Sequence, residues 1–153
     1  MYSLTSVSKL KSIFVTIIVG FIVGLIISGV GIDIFSYVSR SINRFYIART
    51  ISKAEKMVAQ DRYSEAIELY EKAYAKINSS VNGDKNEILI AKIKNNQGLS
   101  LSKQFEKSKD ILDFNSALAM FKEAYATYKK IQNGELADQT EKNIKILEDM
   151  AKV

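Results

Sequence analysis

Three pairs of carboxylates stand at a spacing that could do acid–base chemistry on a helix: Glu65/Glu68, Glu68/Glu71 and Asp110/Asp113. One turn separates the members of each pair, so both carboxyls would face the same way. They lie among lysines, as surface ion pairs do, and the chain contains no His and no Cys. It therefore lacks the usual base for a serine nucleophile, any thiolate, any disulfide and the common zinc ligand sets. Residues 78–84, NSSVNGD, have the polarity of a ligand loop but not the alternating acids of a calcium site. The eight tyrosines fall mostly at positions expected to pack. The expectation is a protein that is not an enzyme, with no cofactor, no metal and no small-molecule substrate. Its working residues should be those that arrange helices and meet other macromolecules.

The element that decides where those residues operate is the run 13–32, IFVTIIVGFIVGLIISGVGI, which carries no charge. Twenty helical residues reach about 30 Å, the thickness of a bilayer's hydrocarbon core. A single transmembrane helix is expected there, behind an N-terminal flank of residues 1–12. The alternative is a cleaved export signal, with Lys9 and Lys11 as its positive start and Gly29-Val30-Gly31 as small residues near a cut, which would leave an exported soluble protein. The run exceeds the roughly 7–15 apolar residues of such signals, and no Ala-x-Ala follows it. Thr16, Gly20, Gly24 and Ser28 recur every fourth residue and would line one helix face, where small side chains let a second membrane helix approach closely.

Charge placement narrows the partners. The chain is +5 overall, but residues 1–49 hold five Lys/Arg against Asp33 alone, while residues 50–153 hold seventeen against sixteen acids. The excess flanks the apolar run, where it would meet lipid headgroups. The balanced remainder has no single-sign stripe for phosphates, so nucleic acid is excluded as a partner and the lipid bilayer is included. Lys9, Lys11 and the α-amino group precede the run and Arg40, Arg44 and Arg49 follow it, so by the positive-inside rule the two sides nearly balance, and the expectation leans to a cytoplasmic C-terminal part. Residues 33–49 read as an amphipathic membrane-exit helix: Phe35, Val38, Ile42 and Phe45, with Ile34 and Tyr46, follow helical steps. No Pro or Gly interrupts residues 32–82, so direct continuation into the following domain is expected, with a bend at Gly29–Gly31.

Residues 50–153 repeat themselves. A shift of 51 residues aligns Tyr63, Ala66, Ile67, Tyr70, Ala73 and Tyr74 with Phe114, Ala117, Leu118, Phe121, Ala124 and Tyr125. Alanines seven apart with an aromatic between them place small and large residues on one helix face, which needs a hairpin partner to cover it. Ile51, Ala54, Met57 and Val58 supply the first partner; Ile88, Leu89, Ala91, Ile93, Gly98, Leu99 and Leu101 supply the second. Asp61 and Asp113 are the expected caps of the second helices. Loops are expected at 78–84 and 132–134, and a covering helix carries Leu136, Thr140, Ile144, Leu147 and Met150. No segment alternates with period two, so the fold class is all-α.

Ala54, then Asp61-Arg62-Tyr63 and Ala66, Tyr70 and Ala73, resembles a tetratricopeptide repeat: a small residue in the first helix, a turn, then aromatic and alanine positions in the second. Gly98 with Phe114, Ala117, Phe121 and Ala124 resembles a second unit. The resemblance covers residues 48–77 and 89–131. It departs from the family's 34-residue period, with the extra length expected in the loop after residue 78 and in a turn at 104–112, and no proline closes either unit. The resemblance implies a short α-solenoid of about two helical hairpins plus a capping helix, binding a partner protein in a concave face of first helices. On this chain that face would offer Ile51, Glu55, Val58, Lys92, Asn95, Asn96, Leu99 and Lys103. Lys92, Asn95 and Asn96 are similar to a clamp for a C-terminal carboxylate, but Ile51 and Glu55 stand where the clamp would want Lys and Asn. The expected role is a membrane-anchored scaffold or assembly factor; the alternative is a permanent accessory subunit of a larger membrane complex.

Overall fold

The computed structural model describes residues 15–19, 30–79 and 87–152. Among them there is helix and no strand: residues 15–19 are helical, and five further helices follow. These are α1 (Val30–Ala59), α2 (Tyr63–Asn78), α3 (Glu87–Ser108), α4 (Ile111–Lys130) and α5 (Gly134–Met150). The chain divides into a unit of residues 1–44 and a unit of residues 45–153. Among the described residues no helix is long and apolar enough to cross a membrane. Most of the expected span, with Gly20, Gly24 and Ser28, lies outside the described residues, as does Gly29; of the small-residue ladder only Thr16 falls within them. The expected loop at 78–84 likewise lies largely outside them, beyond Asn78 and Ser79.

In the unit of residues 45–153, α1 folds against α2 as a hairpin. Ile47, Ile51 and Ala54 share one buried cluster with Ala66, Tyr70, Ala73 and Ile77, and Ile93 of α3 completes it. The spacing of these residues explains the packing: alanines at two turns' separation on α2 leave room for α1, and the Tyr70 ring fills the space between them. Helix α3 packs on α2 and on α4, and α4 packs on α5. Ala91, Ala124, Tyr128 and Ala137 form a second cluster, and Phe105, Ala117, Phe121 and Leu147 a third. Thus α5 closes the stack with Ala137, Thr140 and Leu147 inward, while Glu135, Asp138, Lys142, Lys145 and Glu148 are exposed. A polar outer face is what the last helix of a solenoid needs to stay soluble.

The turns between helices are tight and use left-handed residues that are not glycine. Asp61, Lys109 and Gln132 have φ of 59°, 57° and 57°. At the first and third of these turns the bonds are those of a Schellman end: Arg62 N–H donates to Met57 C=O and Asn133 N–H to Tyr128 C=O, both at 2.9 Å. Two expected caps are corrected. Helix α2 begins after Arg62 with no side-chain cap, because the Asp61 carboxylate accepts instead from the Tyr63 hydroxyl. Helix α4 is capped by Asp110, which accepts from Leu112 N–H at 2.9 Å; Asp113 sits in the first turn and accepts from Ser108 Oγ.

The expected turn at 104–112 is also corrected. Only Lys109 and Asp110 lie outside helix, so the longer second unit carries its additional residues as helix on both arms of the hairpin. From Ala54 to Ala66 is twelve residues and from Gly98 to Ala117 is nineteen, a difference of seven, or two helical turns. A whole number of turns leaves the contact face of the hairpin where it was. The added stretch packs Phe105 against Phe114 with ring centroids 5.4 Å apart, which gives those turns an apolar contact of their own.

Candidate functional site

Each hairpin is set by a small residue on its first helix. Ala54 is fully buried in the cluster that holds Tyr70. Gly98 faces Phe121 so closely that a Cβ there would lie 2.7 Å from both Cδ1 and Cε1 of the ring. This spacing brings the first helices α1, α3 and α5 side by side. Glu55 and Lys92 join α1 to α3 at 3.6 Å. Asn95 joins α3 to α5: its Oδ1 accepts from Asn143 Nδ2 at 3.2 Å and lies 3.3 Å from the Thr140 hydroxyl.

The structure divides the residues expected on this face. Ile51 is buried in the first cluster and packs, so it cannot meet a partner. Asn95 is held by α5 and Asn96 is half-buried, so of the clamp-like trio only Lys92 stands fully outward. Val58 is half-buried against the first cluster. The outward positions are Glu55, Lys92, Leu99 and Lys103. Leu99 is 39% exposed, and Lys103 pairs with Glu106 at 2.8 Å. The pairs Glu55–Lys92 and Lys103–Glu106 are solvated, each worth under about 1 kcal/mol, so they can open to an incoming charged group at little cost.

Two polar nodes that the sequence gave no sign of tie the hairpins together. Lys94, whose side chain is only 14% exposed, places Nζ 3.0 Å from Glu123 Oε2 and 4.6 Å from the centre of the Tyr74 ring. One amine thereby bridges α2, α3 and α4 through a cation–π contact and an ion pair. At the hairpin tips, Lys107 from the extended end of α3 lies 3.5 Å from Asp61 and 4.8 Å from the Tyr63 ring centre. The Tyr63 hydroxyl bond and the Lys107 charge hold the Asp61 carboxyl below the usual carboxylate range. Burial pushes the Tyr70 hydroxyl up to about 12, and Glu55 adds to the shift while Asn96 opposes it. Burial raises Tyr128 as well. Among the described residues no buried side-chain nitrogen or oxygen lacks a partner.

The carboxylate pairs fall on the surface. Glu65 is held by Arg62 and Glu68 approaches Lys72 at 3.8 Å. The chain matches no protein-family model, no curated protein and no solved structure.

Proposed function

We propose that this chain is a tetratricopeptide-like interaction module, anchored in a membrane through residues 13–32, that holds a segment of a partner protein across α1, α3 and α5. The observation that carries this reading is the close seat of Gly98 on Phe121 and of Ala54 beside Tyr70, which aligns three first helices into one face. Glu55, Lys92, Leu99 and Lys103 on that face combine an apolar centre with charges of both signs, suited to an extended or helical peptide of mixed charge. Membrane attachment rests on the apolar run alone, and the cytoplasmic placement of the helical domain on the arginines that follow it.

Photocrosslinking in native membranes tests the reading. A photoreactive residue at Leu99 is expected to give one discrete adduct, weakened by Lys92→Glu, while the same residue at Lys129 on α4 gives none. No adduct at Leu99 or at Lys103, with capture of another span from position 20 or 24, would replace this reading with that of a permanent complex subunit.

A further inference from the structure

Of the asparagines among the described residues, Asn133 is the one followed by glycine. An Asn-Gly step can modify itself. The glycine amide nitrogen, once its proton is lost to base, can attack the asparagine Cγ, and no Cβ on the glycine obstructs the approach. Position 134 is open: Gly134 is exposed, and a Cβ built there would meet no atom within 4 Å. As the first residue of α5 it also has an N–H for which the helical ladder supplies no carbonyl.

The fold holds the reacting atoms apart. Asn133 has ψ of 82°, and at an L-residue this angle sets the Gly134 nitrogen almost opposite Cβ across the Cα–C bond. Attack on Cγ needs the two on the same side. The Asn133 side chain is meanwhile engaged, its Oδ1 accepting from Leu136 N–H at 3.2 Å, and its carbonyl accepts from Ala137 N–H at 3.1 Å. Turning the Gly134 nitrogen onto Cγ gives up both bonds, so the capped start of α5 and the reaction exclude each other. Helix α5 closes the stack and buries one side only, the kind of terminal element that opens locally before the domain unfolds.

We infer that Asn133-Gly134 is a self-modification site gated by the docking of α5, with deamidation proceeding only when the first turn of that helix opens. In the open turn the Gly134 nitrogen bonds to Cγ, the Cγ–Nδ2 bond breaks and ammonia leaves. Water then opens the ring: cleavage at Cγ leaves aspartate at 133, and cleavage at the backbone carbonyl leaves isoaspartate. No electrons are exchanged; one amide and one water become a carboxylate and ammonium. Aspartate keeps an acceptor for Leu136 N–H and adds a charge that a helix start favours. Isoaspartate runs the main chain through Cβ and lengthens it by one carbon. The bonds from Asn133 N–H to Tyr128 C=O and from Ala137 N–H to the carbonyl at 133 then cannot both keep register. A start so displaced loosens α5, which holds Asn95 through Thr140 and Asn143. Only this last consequence, the release of Asn95 into the face of α1, α3 and α5, rests on the interaction reading above.

The full chain in mild detergent is incubated at mildly alkaline pH, and residue 133 is followed by peptide mass spectrometry, with isoaspartate labelled by an isoaspartyl methyltransferase. The same chain in strong urea gives the ungated rate, expected to exceed the folded rate at least about tenfold. Leu147→Ala removes a fully buried side chain of α5 and is expected to raise the folded rate about tenfold or more, with circular dichroism confirming retained helix. Thr140→Ala, a milder loss at the contact with Asn95, is expected to raise it by a smaller factor. Gly134→Ala, which the open space accommodates, is expected to slow the reaction in both states. Equal rates in the fold and in urea overturn the inference, as does an absence of deamidation at 133 in urea. A folded rate that neither α5 variant changes overturns it too. No partner enters these readouts, so their failure and that of crosslinking at Leu99 are distinct results.

Discussion

Adding a single methyl group at position 98 tests how the second hairpin is held. In a helix interior Ala is favoured over Gly by about 1 kcal/mol, so at an open site Gly98→Ala would stabilise. Here the new Cβ would meet three atoms of the Phe121 ring at 2.7, 2.7 and 3.0 Å, well inside van der Waals contact. The ring cannot retreat, because Phe121 is fully buried against Phe105, Ala117 and Leu147. Overpacking of this kind costs about 1–3 kcal/mol, and a ring fixed on all sides belongs at the upper end. Subtracting the helix preference leaves a net loss of about 1–2 kcal/mol. For a helical domain of this size that is a fall of about 4–8 °C in Tm for each kcal/mol.

Stability alone does not locate the cause, so the measurement is a double-mutant cycle. Phe121→Leu removes the ring edge that the methyl would strike. In that background Gly98→Ala is expected to become neutral or stabilising by up to about 1 kcal/mol, giving a coupling of about 1–3 kcal/mol. Urea unfolding of the full chain in mild detergent, followed by far-ultraviolet circular dichroism, supplies the four free energies. If Gly98→Ala has the same effect with Phe and with Leu at 121, to within about 0.5 kcal/mol, the contact does not set the helix separation and the reasoning fails.

Four further outcomes are expected. The Tyr70 hydroxyl, raised to about 12, stays neutral in the fold while an unfolded tyrosine ionises near pH 10; its contribution is complete below pH 10 and is lost between about pH 10 and 12, amounting to about 2–3 kcal/mol. Tyr70→Phe should flatten the alkaline limb of a stability–pH curve, and an unchanged limb would assign it to other groups. Gln132→Gly should stabilise by about 0.5–1 kcal/mol, because φ of 57° strains a residue with a Cβ, and a fall in Tm would contradict that turn geometry. Asp110→Ala should cost about 1 kcal/mol by removing the cap on Leu112 N–H, whereas Asp113→Ala should cost clearly less; equal losses would restore Asp113 as cap. Lys94→Ala should cost more than Glu123→Gln, since it removes the Tyr74 contact and the buried stem as well as the ion pair, and the reverse order of melting temperatures would make the ion pair dominant.

Much of this arrangement is written in residue spacing. The pattern of Tyr63, Ala66, Tyr70, Ala73 and its second copy at Phe114, Ala117, Phe121, Ala124 identifies both second helices, and all eight residues pack as that pattern implies. A helix covered on one side only carries its contacts in a single periodic stripe, which is why α2 and α4 are legible. The turn at 104–112 is misjudged for the opposite reason. Apart from Phe105, Gln104 to Lys109 is polar and charged, and polarity resembles a loop, yet good helix formers on a solvated hairpin arm extend a helix as readily as apolar ones do. The cap of α4 lies one turn earlier than expected, because two aspartates three apart compete for the same N–H groups and backbone geometry decides between them, while Asp61 is drawn from the α2 end by the Tyr63 hydroxyl.

Helix α3 shows where spacing ceases to inform, and the binding face depends on it. It touches α1, α2, α4 and α5, so most of its circumference is buried, Gln97, Ser100 and Ser102 included, and only a narrow strip with Lys92, Leu99 and Lys103 faces outward. Ser100 is accommodated by donating to the Asn96 carbonyl one turn back, which satisfies its hydroxyl without any partner that sequence could name. Meanwhile Ile88 and Leu99, apolar and in phase with the core, are exposed. A helix enclosed by four neighbours keeps only a narrow open strip to contrast with its buried surface, and the periodicity argument then sorts core from surface poorly. That is why Asn95, expected on the open face, is held by α5, whereas Leu99, expected both in the helix's apolar stripe and on that face, stands outward. The residues left for a partner are the ones the packing does not need, and they could be separated from the rest only once the four neighbours of α3 were known.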